Sequence, residues 1–188
     1  MSWKNDQVSD AETKQILQCA KQALTVPGDF VEFGCYKGDT SLLLADLLHK
    51  NHSTKKLWLY DSFEGLPEKS DQDQSELSPE FQPGALAVSK REVKVRFLHA
   101  NLPVPIIKKA WFSDLTLDDL PQQIAFAFLD GDFYKSIKTS LKLVTPRLAP
   151  DGIIIIHDYT HHKLPGVAQA VDDFLAAQPQ FQNQLKLL

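Results

Sequence analysis

Two runs of the sequence, IAFAFLDGD and GIIIIHDY, constrain the possible folds most, because their apolar residues follow one another without interruption. A strand of that composition is buried on both faces, which is typical of the centre of a parallel sheet. Shorter apolar runs alternate along the chain with segments of helical periodicity. This alternation predicts an α/β fold with a doubly wound, mostly parallel sheet and helices on both faces.

The expected bounds of the elements follow from periodicity and from the residues that begin and end helices. Ser9 followed by Glu12 is a capping-box pattern, which begins a first helix over residues 9–24. Further helices are expected over residues 40–48, 85–97, 136–148 and 166–178. Strands are expected over residues 30–33, 55–62, 104–111, 124–132 and 152–159, with a last edge strand over residues 181–188.

Length and composition predict one soluble domain. The 188 residues suit a single core, so residues 1–188 are expected to form one domain with an N-terminal helical segment over 1–28. The net charge of −4 and the lack of a Lys/Arg run argue against a nucleic-acid partner. No apolar run is long enough to span a bilayer, and MSWKNDQVSD lacks a signal-peptide core, so we expect a cytoplasmic protein without membrane contact. Cys19 and Cys35 lack metal-ligand spacing and are expected to be free thiols.

A long polar segment follows the second expected strand. EGLPEKSDQDQSELSPEFQPG contains three prolines and few apolar residues. Long loops in compact domains are usually lids or disordered segments. We therefore expect residues 66–84 to form a lid that becomes ordered when ligands bind.

The segment FVEFGCYKGDTS joins the first strand to the next helix through a turn with two glycines. It lacks G-x-G-x-x-G and G-x-x-x-x-G-K-[ST], which disfavours an NAD- or nucleotide-dependent enzyme on the same fold. Backbone N–H groups of such a turn can bind a carboxylate, Glu32 can bind an ammonium, and Asp61 can accept two ribose hydroxyls. A ligand with these three groups is an amino-acid nucleoside, and S-adenosylmethionine fits. The alternative is that Glu32 and Asp61 are solvated charges at strand ends.

Six motifs occur in an order that resembles a known family: FVEFGCYKGDTS, YDSFEGLPE, AWFSDL, FLDGDFYKS, GIIIIHDY and AVDDFL. From about Asp29 to Ala177 the chain resembles the macrocin O-methyltransferase family, Rossmann-like class I S-adenosylmethionine-dependent enzymes that methylate sugar hydroxyls. The resemblance implies that Asp61 and Ser62 hold the ribose of the cofactor and that Trp111 and Phe112 flank its adenine, although core packing is an equally ordinary role for these aromatics. It also implies that the methionine end of the cofactor is lined by Glu32, Gly34, Tyr36, Gly38, Thr40 and Ser41. Asp130 is expected to contact the cofactor too, because the end of the fourth strand lies beside the same glycine turn.

The resemblance also implies a magnesium site, formed by one Asp after the fourth strand and an Asp-Asp pair after the fifth. The corresponding residues here are Asp130 and the pair His157–Asp158, so a histidine stands where an aspartate is expected. Magnesium prefers oxygen ligands. The ion is then held by Asp130 and Asp158 alone, or a softer ion such as manganese, iron or zinc replaces it, or no metal binds and His157 is the general base with an unperturbed pKa near 6.5. A structural role, with His157 hydrogen-bonded to Asp158, is a further alternative.

The expected function is that of an S-adenosylmethionine-dependent O-methyltransferase that acts on a hydroxyl of a small molecule, for example a sugar or a glycosylated metabolite. Asp130 and His157 are the expected catalytic residues. The alternative function is non-catalytic binding of S-adenosylmethionine or another nucleoside by the same fold. Asp132 is expected to cap the following helix, and His161 and His162 are expected either near the acceptor or in solvent. A homodimer is left open.

Overall fold

The computed structural model describes residues 5–75 and 80–188, and its strands form one sheet. The strands are β1 (Asp29–Phe33), β2 (Leu57–Asp61), β3 (Ile106–Lys109), β4 (Ile124–Leu129), β5 (Leu148–Ile156) and β6 (Leu185–Leu187). The α-helices are α1 (Asp10–Gln22), α2 (Asp39–Lys50), α3 (Lys90–His99), α4 (Tyr134–Val144) and α5 (Pro165–Ala177). The strands lie in the order β3-β2-β1-β4-β5-β6, and every neighbouring pair is parallel. The predicted doubly wound α/β fold is confirmed.

The two faces of the sheet are covered by different helices. Side chains of α1, α2 and α3 pack against one face, where Phe30 and Phe126 are fully buried. Side chains of α4 and α5 pack against the other face, where Val31 and Ala127 are fully buried. All six residues of β4 are buried, as the uninterrupted apolar run predicts for a central strand.

Several predicted bounds are wrong by a few residues, each for a local reason. The helix predicted over 85–97 begins only at Lys90, because Leu86 has a left-handed φ of 62° and Ser89 forms a capping box with Glu92. Of the strand predicted over 104–111, only β3 forms, at the exposed edge of the sheet. The strand predicted over 181–188 forms over only the three residues of β6. The predicted helix over 136–148 begins two residues earlier and ends at Val144. The capping box of Ser9 and Glu12 is confirmed at the start of α1.

The order of the strands determines where a ligand can bind. The chain runs from β1 to β2 on one side and later returns to β4 on the other side of β1, so the order reverses between β1 and β4. In open parallel sheets, ligand sites lie beyond the carboxyl ends of the strands at such a reversal. Among the helices of the described residues, none is both long and apolar enough to cross a membrane.

Candidate cofactor and methyl-transfer site

A cavity of about 280 Å³ opens beyond the carboxyl ends of the strands, where the strand order reverses. It is lined by residues that follow five of the strands, β1 to β5, and by parts of the long loop after β2. The sequence-predicted residues on its wall are Gly34, Tyr36, Asp61, Ser62, Trp111, Phe112, Asp130, His157 and Asp158. A second cavity of about 30 Å³ adjoins it at Gly34, Tyr36 and Asp130, and is also lined by Glu32 and Thr40. The predicted residues therefore converge, except Gly38 and Ser41, which line neither cavity.

The turn after β1 is shaped by a close approach between two backbones. Gly34 has a left-handed φ of 84°, and a Cβ atom there would lie 1.9 Å from the carbonyl oxygen of Asp130. Only glycine fits that position without moving β1 and β4 apart. Asp61 then fixes the turn, because its Oδ2 accepts the N–H groups of Cys35 at 2.9 Å and Tyr36 at 3.0 Å. Its Oδ1 accepts the N–H of Phe63 at 2.7 Å, so Asp61 has a structural task that the sequence does not reveal.

One carboxylate oxygen of the buried Glu32 has no hydrogen-bond partner in the part of the chain that the structure describes, and burial raises the pKa of this side chain more than the nearby Ser41 hydroxyl lowers it. Its side chain is 1% exposed, and its Oε2 has no hydrogen-bond partner among the described residues, nor does Oγ of the neighbouring buried Ser41. Burial, with the negative charges of Asp130 and Asp61 adding to it, raises the pKa of Glu32 to about 8 from an ordinary 4.5. An unpaired buried carboxyl group costs free energy until a cation or donor reaches it. The alternative of a solvated strand-end charge does not fit Glu32.

His157 lies between carboxylates at the ends of β4 and β5. Its Nδ1 is 3.0 Å from Oδ1 of Asp130 and 3.1 Å from Oδ2 of Asp158, and its Nε2 is 3.9 Å from Oε1 of Glu12. Burial favours the neutral ring, but the charges and hydrogen bonds of Asp130 and Asp158 raise the pKa of His157 to about 11. The expectation of an unperturbed pKa near 6.5 is therefore wrong. In the cation-free protein the imidazole carries its second proton at neutral pH and cannot take another from an acceptor. A cation that binds at Nδ1 would displace the proton there.

The same three side chains fit a divalent metal ion. One ligand atom from each of Asp130, His157 and Asp158 can be chosen such that all lie within 4.8 Å of one another. Two carboxylates and one imidazole nitrogen suit manganese, iron or zinc better than magnesium, because nitrogen is a poor ligand for magnesium. A bound cation would also favour ionisation of the nearby Asp132, whose pKa is raised by burial and by the charges of Asp130 and Asp158.

Asp132 does not cap helix α4, contrary to expectation. Its φ of 58° is left-handed, which is uncommon for a residue other than glycine, and the N-cap position of α4 is Phe133. The backbone N–H of Tyr134, at the start of α4, instead donates to Oδ1 of Asp73 at 2.7 Å, and Asp73 belongs to the long loop. Asp132 lines the cavity, and burial, with the charges of Asp130 and Asp158 adding to it, raises its pKa well above the ordinary value. A carboxyl group of this kind is suited to proton transfer.

The long loop contributes apolar wall residues that composition alone does not single out. Leu66, Pro67, Phe81 and Leu86 line the cavity. The ends of the loop are joined by backbone hydrogen bonds from Leu66 to Ala85 and from Gly84 to Leu66. The expected lid of residues 66–84 includes residues 76–79, which lie outside the described residues, and its ordering on ligand binding stays a prediction.

Two contacts of individual residues in the long loop and the N-terminal segment were not predicted from the sequence. Asp73 anchors the middle of the long loop beneath α5, where a Cβ on Gly166 would lie 1.9 Å from its Oδ1. The N-terminal segment also reaches the site, because Gln7 lines both cavities and Asn5 Nδ2 donates to Oγ1 of Thr40 at 2.8 Å. No local pattern signals either contact, since the partners are far apart in the chain.

Comparison with known proteins defines first the class and then the family. The solved structure of the O-methyltransferase NovP is similar, with a TM-score of 0.78 and 27% identity over 88% of this chain and 71% of that one. The fold is thus that of the Rossmann-like methyltransferases. The macrocin-O-methyltransferase (TylF) family model matches residues 7–186, and the chain belongs to this family, as the motifs predicted.

Two curated relatives are named O-methyltransferases. An 8-demethyl-8-(2,3-dimethoxy-alpha-L-rhamnosyl)-tetracenomycin-C 4'-O-methyltransferase from Streptomyces olivaceus is 34% identical over 79% of this chain and 58% of its own length. The demethyldecarbamoylnovobiocin O-methyltransferase of Streptomyces niveus is 29% identical over 87% of this chain and 64% of its own length. The chain therefore spans about three fifths of the length of these relatives.

Proposed function

We propose that this protein is an S-adenosylmethionine-dependent O-methyltransferase whose acceptor is a hydroxyl of a small molecule, a sugar or a glycosylated metabolite. The observation that carries the proposal is the cavity that joins the glycine turn and Asp61 to the carboxylates Asp130 and Asp132. Membership of the macrocin-O-methyltransferase family supports it, as do relatives whose names specify O-methylation of tetracenomycin, novobiocin and mycinamicin compounds.

In this proposal each end of the cofactor has a partner of matching chemistry. The cofactor ammonium binds the unpaired Oε2 of Glu32, and the cofactor carboxylate binds backbone N–H groups at the start of α2, which no side chain caps and where Asp39 and Thr40 line the smaller cavity. One ribose hydroxyl donates to Oδ1 of Asp61, which keeps one lone pair beside the N–H of Phe63 that it accepts, because Oδ2 already accepts the N–H groups of Cys35 and Tyr36. The adenine lies against Trp111 and Phe112 on the cavity wall.

The reaction is an in-line displacement. Bound S-adenosylmethionine would supply its methyl group to the acceptor oxygen, and the electron pair of the broken carbon–sulfur bond would remain on sulfur in S-adenosylhomocysteine. The hydroxyl proton needs a base, and we assign that task to Asp132 because it lines the cavity and has a raised pKa. Asp130 and Asp158, with Nδ1 of His157, would hold a divalent cation, which when bound would polarise the acceptor hydroxyl.

Calorimetry and turnover test the proposal in two stages. Titration with S-adenosylhomocysteine should show micromolar binding, and NAD should not bind. Methyl transfer from radiolabelled S-adenosylmethionine is then measured with demethylated, sugar-bearing acceptors, including mycinamicin III and demethyldecarbamoylnovobiocin, which the names of the relatives suggest. Absence of cofactor binding would refute the proposal.

A second candidate function is binding of S-adenosylmethionine without catalysis. The observation that favours it is His157, which occupies a position where the family resemblance implies an aspartate. Cofactor binding without transfer to any acceptor of the panel, with or without added manganese, would support this function over the first.

A further inference from the structure

Glu12 performs two tasks with its two carboxylate oxygens. Oε2 accepts the backbone N–H of Ser9 at 3.0 Å and the hydroxyl of Ser9 at 2.6 Å, which completes the capping box of α1. Oε1 lies 3.9 Å from Nε2 of His157. The capping box alone explains Oε2, but it does not explain why the other oxygen faces a buried histidine at the carboxyl edge of the sheet.

The His157 ring has carboxylates on both of its nitrogen sides, within hydrogen-bond distance at Nδ1 and farther away at Nε2. Nδ1 faces the carboxylates of Asp130 and Asp158, and Nε2 faces Glu12. The ring is 6% exposed and contacts Phe128 at a centroid distance of 6.0 Å. A histidine that binds a metal ion through one nitrogen usually donates its other N–H to a carboxylate or carbonyl, and this partner fixes the tautomer and the ring orientation. Oε1 of Glu12, at 3.9 Å, is within ion-pair distance of Nε2 but beyond hydrogen-bond distance, and a small movement of its side chain would bring it into the position of such a partner.

We propose that Glu12 is a positioning residue, which holds the Nε2–H of His157 so that the lone pair of Nδ1 completes a divalent-cation site with Asp130 and Asp158. The proposal rests on the proposed function, since it concerns the cation that this function would use. It adds a residue of α1 to a site otherwise built from the ends of β4 and β5. It also explains how the site tolerates a nitrogen donor where an aspartate is expected.

The capping box supplies a matched pair of variants. Glu12→Gln keeps a side chain that serves at this position of a capping box, but it removes the charge that faces His157. Ser9→Ala weakens the cap, which costs about 1 kcal/mol of stability, but it leaves the Glu12 carboxylate. If Glu12 only stabilises helix α1, Ser9→Ala should lower cation affinity at least as much as Glu12→Gln does. If Glu12 positions His157, Glu12→Gln should lower cation affinity more than Ser9→Ala does.

The experiment is calorimetric titration of Mn²⁺ into chelator-treated protein, with electron spin echo measurements that detect coupling of the ion to a histidine nitrogen. Glu12→Gln should weaken Mn²⁺ binding by about 10- to 100-fold, whereas Ser9→Ala should change it less than about twofold. Nitrogen coupling should be present in the wild type and lost in His157→Asp. In the His157→Asp background, which restores three carboxylates, Glu12→Gln should cause no loss of Mn²⁺ affinity.

Three results would overturn the inference. They are an unchanged Mn²⁺ affinity in Glu12→Gln, an equal loss in Ser9→Ala, and a wild-type protein that binds no Mn²⁺. S-adenosylhomocysteine binding is measured in the same samples. If S-adenosylhomocysteine still binds but one of these three Mn²⁺ results is found, the role of Glu12 is refuted and the proposed cofactor site stands.

Discussion

Replacement of Glu32 by glutamine should make the protein without ligand more stable, by an amount that grows with pH. The pKa of Glu32 is raised from 4.5 to about 8 in the folded protein, so the folded state retains a proton that the unfolded state loses. This contribution to stability is complete below pH 4.5 and is lost as the pH rises towards 8. The difference between the pKa values of Glu32 in the unfolded and folded states corresponds to about 5 kcal/mol of stability in all.

The assay is thermal and urea-induced unfolding of the wild type and Glu32→Gln at pH 5, 7 and 8. Between pH 5 and 8 the difference between the two proteins should shift by about 3–4 kcal/mol in favour of the variant, or roughly 10 °C in Tm for a domain of this size. Other titrating groups are common to both proteins and cancel in the difference. Parallel stability curves over this range would refute the assignment of a raised pKa to Glu32.

The same substitution tests the partner of Glu32. When a cofactor ammonium binds, the carboxyl group should ionise, so binding of S-adenosylhomocysteine at pH 7 should release close to one proton. Titrations in buffers of different ionisation enthalpy measure that number directly. Glu32→Gln should bind S-adenosylhomocysteine more weakly, and its binding should release no proton from residue 32.

Three further predictions concern other parts of the cavity. Asp61→Asn should weaken S-adenosylhomocysteine binding by about 1.5–3 kcal/mol, because one charge-assisted hydrogen bond to the ribose is lost; unchanged affinity would exclude the ribose role. Asp61→Ala should weaken it more, because the N–H groups of Cys35 and Tyr36 also lose their acceptor. Asp132→Asn should lower kcat by about 100- to 10,000-fold and leave S-adenosylhomocysteine affinity intact, and a kcat near that of the wild type would refute the base assignment. Limited proteolysis of the loop over 66–84 should slow when S-adenosylhomocysteine and acceptor are both present, and equal cleavage rates would contradict the lid.

The sequence predicted the fold well because its strongest signals are local. The uninterrupted apolar run of β4 and the capping box at Ser9 depend on neighbours in the chain, and both are confirmed. The carboxyl ends of parallel strands share one edge, so Asp61 and Asp130 could be assigned to one site from the order of the elements alone. The bounds of α3 and β3 were less predictable, because a left-handed residue and an edge position decide them.

The details of the site depend on contacts between distant residues. The pKa of His157 reflects its burial between Asp130 and Asp158, and the sequence order does not show that one ring nitrogen contacts both. Asp73 caps α4 from 61 residues away, which is why Asp132 is free to line the cavity. Such pairings follow from the packing of the whole domain and have no local sequence pattern.

The most direct test of the account is a crystal structure of the protein in complex with S-adenosylhomocysteine. The account predicts the ligand ammonium within hydrogen-bond distance of Oε2 of Glu32, a ribose hydroxyl at Oδ1 of Asp61, and the adenine beside Trp111 and Phe112. The sulfur should point towards Asp132, where the acceptor hydroxyl would approach. Ligand density outside this cavity, or an ammonium group turned away from Glu32, would contradict the central claim.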